Sequence, residues 1–63
     1  MKDNNLYNLM TQLTQEARSL WRIKNEYQKD AKGKELKAYW KELALEKETH
    51  IADLKKLIQA YLD

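Results

Sequence analysis

One glycine and no proline occur in 63 residues, and the glycine, Gly33, stands almost at the midpoint. Proline and glycine are the residues that interrupt helices, so each half of this chain is free to run as one uninterrupted helix. A glycine just past a helix end supplies the left-handed residue that closes it. Lys29 and Lys32 precede Gly33, where cations favour the negative end of a helix dipole. Asp3, Asn4 and Asn5 offer caps at the other end. The sequence therefore predicts a single all-α domain over residues 1–63: a helix over about 4–31, a turn at Gly33 and a helix over about 34–62.

The side-chain pattern supports this. At 100° per residue, Leu6, Leu9, Met10, Leu13, Ala17, Leu20, Ile23, Tyr27 and Ala31 fall on one stripe, widened by Tyr7 and Trp21. In the second half, Leu36, Tyr39, Trp40, Leu43, Ala44, Ile51, Leu54, Leu57, Ile58, Tyr61 and Leu62 do the same, and positions 36, 40, 43, 47, 50, 54, 57 and 61 alternate steps of four and three, which predicts a heptad seam. Each apolar arc is wider than one helix–helix contact needs. A chain this short buries only ~60% of the surface its unfolded form exposes. With no cysteine, disulfides and thiolate metal sites are excluded. The expected architecture is an antiparallel two-helix hairpin that dimerises into a four-helix bundle. Leu13, Ala17, Leu20, Trp21, Ile51 and Leu54 are the expected dimer interface.

The stripe contains polar residues. A turn at Gly33 pairs residues whose numbers sum to about 66. Glu16 then lies level with His50 and next to Lys47, with Glu46 one helical turn from His50. Glu16, Lys47 and His50 are expected to form one polar layer at mid-helix. Such layers cost stability but fix register and oligomeric state.

The segments "LTQEARSLWRIKNEY" and "ALEKETHIADLKKLI" resemble the first two helices of ferritin-like and rubrerythrin-like proteins. That resemblance implies half of a ferritin-like bundle, completed by dimerisation. Glu16 would be the first-helix carboxylate and His50 the histidine of Glu-x-x-His. Lys47 stands where the glutamate of that motif belongs, so its ammonium would replace the charge of a metal. Glu16, Glu46 and His50 are the residues left to bind Fe or Zn.

Other classes have less support. A net charge of +2 with interleaved acids argues against nucleic acid. Arg18, Arg22, Lys29 and Lys37, with Trp21 or Tyr7, are the candidates for a nucleic-acid-binding dimer. No apolar run predicts a membrane span or a signal peptide, so a cytoplasmic protein is expected. No nucleophile–base pattern is present, and Ser19 is a lone helix serine, so no catalytic residue is assigned. The expected role is structural or protein-binding. A larger protein partner could dock on Trp21, Tyr7 and Leu45.

Overall fold

The computed structural model describes residues 4–62. They are almost entirely helical: α1 (Asn4–Arg22), a π-helical turn (Ile23–Tyr27), α2 (Gln28–Asp30) and α3 (Lys34–Leu62). No strand occurs among them. The Asp3 cap lies outside the described residues, and Asn4 opens α1.

The first half differs from the expected continuous α-helix. The backbone N–H of Gln28 bonds to the carbonyl of Ile23, five residues back, which widens the helix locally. The apolar spacing gives a physical reason. Ile23, Tyr27 and Ala31 are four apart, and steps of four drift around an α-helix by about 40° each. The wider π turn absorbs that drift and keeps all three on the line facing α3. Ile23 and Ala31 are buried, and the Tyr27 ring lies 4.9 Å from that of Trp40.

Gly33 is also placed differently from expectation. The first helical run ends when Ala31 turns extended (φ −65°, ψ 133°), not through a left-handed glycine. Gly33 instead stands immediately before α3. Its carbonyl accepts the N–H of Lys37 at 3.2 Å, which makes it the N-cap. Its φ of +89° is still a conformation that only glycine adopts cheaply.

The helices contact each other in a crossed order of numbering: Tyr27 meets Trp40, Lys24 meets Glu48, and Glu16 meets Lys47 and His50. The line of α3 facing α1 runs through Trp40, Ala44, Lys47, Ile51, Leu54 and Ile58. Ala44 is buried and the other five are half-buried. This line is rotated from the expected seam. Trp40, Lys47 and Leu54 belong to both, Leu43 of the seam is half-buried, and Ala44, Ile51 and Ile58 come from the wider apolar stripe, but Leu36, His50, Leu57 and Tyr61 are exposed. The small side chain of Ala44 explains the rotation, because it lets the helices approach where a larger residue would hold them apart.

The pair is elongated, 50 × 16 × 12 Å, and its core is small. Among the described residues only Glu16, Ile23, Ala31 and Ala44 are buried. Met10, Trp21, Tyr39 and Leu57 are each more than half exposed. No described helix is long and apolar enough to cross a membrane.

Gly33→Ala tests the turn. A Cβ at Gly33 would meet no atom within 4 Å, so any penalty comes from the backbone alone. The expected loss is about 1–2 kcal/mol, the cost of a left-handed non-glycine residue, read by chemical denaturation. An unchanged midpoint would mean that the turn rearranges without cost.

Candidate polar site between the helices

The buried residue that an apolar core does not explain is Glu16. It lies on the line of half-buried Leu9 and buried Ile23, seven residues from each, so the packing that covers those residues covers it too. A buried carboxylate is tolerated when its oxygens are satisfied. Three donors achieve this. Lys47 Nζ donates to Oε2 at 3.0 Å, and Gln12 Nε2 donates to the same oxygen at 3.3 Å. His50 Nδ1 lies 3.0 Å from Oε1. The ionised carboxylate can only accept, so the proton between them belongs on Nδ1. No buried side-chain nitrogen or oxygen among the described residues lacks a partner.

The three partners sit in different environments. The Lys47 side chain is 21% exposed and that of His50 58%. Lys47 therefore supplies an ammonium inside the interface, while His50 reaches in from the rim. The hydrogen bond from Lys47 is the main reason that the Glu16 pKa lies below its ordinary value. Burial opposes this, and the bond from His50 reinforces it. A second ion pair, Lys24 to Glu48 at 2.7 Å, is about half exposed at both ends. Such a pair contributes about 0–1 kcal/mol.

Gln12 is the member that the sequence pattern missed. Its signal was present: a glutamine four residues before Glu16 lies one turn away on the same face. Glu46 is exposed, and no three His, Asp or Glu side chains gather as a metal site among the described residues. Asp53, Leu54 and Leu57 complete an open groove of about 260 Å³ with Gln12, Glu16 and His50.

The basic residues are dispersed. Arg18 and Arg22 flank Trp21 in one shallow groove with Glu26, and Lys37 lines a different one with Lys24, Lys41 and Glu48. The expected interface residues also divide. Ala17 and Trp21 are exposed, while Leu13, Leu20, Ile51 and Leu54 are half-buried, the last two on the line of α3 that faces α1. Ser19 is half-buried.

Comparison with protein-family models, with curated proteins and with solved structures finds no match to this chain.

Two measurements test the carboxylate. Glu16 has a lowered folded pKa, so its contribution to stability is complete above the ordinary glutamate value of 4.5. It is lost as pH falls through the folded value. The stability difference between the parent and Glu16→Gln should therefore shrink as pH drops below that range, and a pH-independent difference would contradict the linkage. Lys47→Leu should raise the Glu16 pKa, followed by carboxyl carbon NMR. It should also cost about 1–3 kcal/mol through the donor lost to a buried acceptor. A variant as stable as the parent would mean that the ammonium contributes nothing net.

Proposed function

We propose that the chain is an antiparallel helical hairpin that serves as a small structural or protein-interaction module by forming a homodimeric four-helix bundle. The observation that carries this reading is the surface. The protein exposes 5327 Å² at a mass of 7.6 kDa. A compact monomer of that mass exposes roughly 4,300 Å². The excess, roughly 1,000 Å², compares with the ~800 Å² that each partner buries in a standard interface. Much of it is apolar: Trp21 is 59% exposed, Met10 53% and Leu57 54%. The polar layer supports the reading as a device that fixes helix register at a single level. A larger protein docking on the same residues is the variant of this reading in which the partner is not a second copy.

The resemblance to ferritin-like proteins supplies a second reading, in which Glu16 and His50 bind Fe or Zn across the dimer. The observation favouring it is the contact of Glu16 with His50 beside an open groove. Against it, Lys47 already holds one oxygen of Glu16 with an ammonium, which occupies the place of a metal's positive charge. The nucleic-acid reading draws on Arg18, Arg22, Lys29 and Lys37 with Trp21 or Tyr7, and Arg18 and Arg22 line a different groove from Lys37.

Native mass spectrometry of untagged protein purified without chelator tests the first two readings together. The expected species is a metal-free dimer whose melting temperature rises with protein concentration. A monomer at every concentration would sink the bundle. A dimer with stoichiometric metal, lost in His50→Ala, would establish the ferritin-like reading instead.

A further inference from the structure

The apolar flanks left exposed by the two helices lie on opposite sides of the pair. On α1, Met10, Ala17 and Lys24 are seven residues apart and share one line. Lys24 reaches Glu48, which marks the side that this line faces. Gln12 and His50 border the groove on the other side, where α3 exposes Leu36, Tyr39, Leu57 and Tyr61.

The two flanks differ in the charges they set against a second copy. On the α3 flank, an antiparallel copy that sets Leu36 against the partner's Tyr61 also sets Glu46 against the partner's Asp53, twice over. Like charges placed opposite each other disfavour that pairing. The α1 flank has no charge along residues 6, 10, 13, 17 and 20, which alternate steps of four and three; Lys24, at the next step, is already paired with Glu48, and Glu16, at the edge of the flank, with Lys47. An antiparallel copy there seats Leu13 on the partner's Ala17 and Met10 on the partner's Leu20, each twice. Large residues then face small ones, which permits close approach of the helices. Tyr7 meets the partner's Trp21 at the rim, giving two aromatic pairs.

We propose that a second copy of this chain docks on the α1 flank, antiparallel, with the two-fold axis level with residue 15 and Leu13 packed on the partner's Ala17. This deepens the homodimer reading and rests on it. One consequence distinguishes it from docking on the other flank: the groove of Glu16 and His50 stays on the outside of the dimer, and each polar layer is satisfied within its own chain.

The test compares Ala17→Glu with Leu57→Glu by native mass spectrometry, with circular dichroism reporting the helices. Both positions are exposed in the isolated chain, so both variants should stay helical. The expected result is that Ala17→Glu is monomeric and Leu57→Glu remains a dimer. A dimeric Ala17→Glu would overturn the proposal while leaving the homodimer reading intact. A monomeric parent would sink both. Because the chain has no cysteine, a mixture of Tyr7→Cys and Trp21→Cys chains offers a second readout that needs no intact core. A short bifunctional maleimide should join unlike chains in that mixture, whereas a mixture of Tyr39→Cys and Ala60→Cys should stay unlinked. The reverse pattern would place the interface on α3 and overturn the proposal.

Discussion

The Glu16 carboxylate is the constraint on which the arrangement of the two helices rests. It sits in the contact line of α1, and it is tolerable there only while α3 holds Lys47 and His50 against it. A slide of α3 by one helical turn would carry both donors away and leave a buried charge with Gln12 alone. Apolar contacts between two helices are permissive, since neighbouring ridges offer several similar registers. The carboxylate removes that degeneracy. Its cost in desolvation is the counterpart of its selectivity.

The remaining packing is sparse. Ile23 is the one large side chain among the described residues that is fully buried, and it stands beside the π turn. Tyr27 and Trp40 close the end nearest Gly33 with a tilted ring contact, and Tyr39 adds an edge contact to Trp40 at 5.3 Å. Ala44 sets the spacing between these two regions. The pair is therefore held by one aromatic contact, one aliphatic plug and one polar layer, in that order from the turn outward. Ile51, Leu54 and Ile58 are only half-buried, and Tyr7, Met10, Trp21, Tyr39 and Leu57 are more than half exposed.

Much of this could be read from the residues. Two long helices followed from one central glycine and no proline. The neighbourhood of Glu16, Lys47 and His50 followed from counting outward from that glycine. What the pattern left open has physical causes. A strict 100° wheel cannot anticipate a π turn, so the adjustment at Ile23–Tyr27 was invisible to it. The heptad pattern of α3 weighs Leu36, Leu57 and Tyr61 for being apolar. The contact line instead follows Ala44, which hydrophobicity ranks low and steric fit ranks high. The capping role of Gly33 depended on where the first helix stopped, and Ala31, not the glycine, decides that.

The π turn also bears on how the chain tolerates change in length. It is equivalent to one extra residue inserted into an α-helix and absorbed within a single turn. The segment before it is tied to the later half of α3 through Glu16, and the segment after it to the early half through Tyr27. The turn acts as a vernier between two attachments whose spacings on the two helices are unequal. Deleting one residue within Ile23–Tyr27 would therefore restore a plain α-helix and leave the segments on either side in nearly their present phase, whereas deleting one between Glu16 and Ile23 would swing everything beyond it by about 100° relative to the polar layer. Only in the second case could the aromatic contact and the carboxylate cluster no longer be made together, so the π turn is where the first half can take up a change of length.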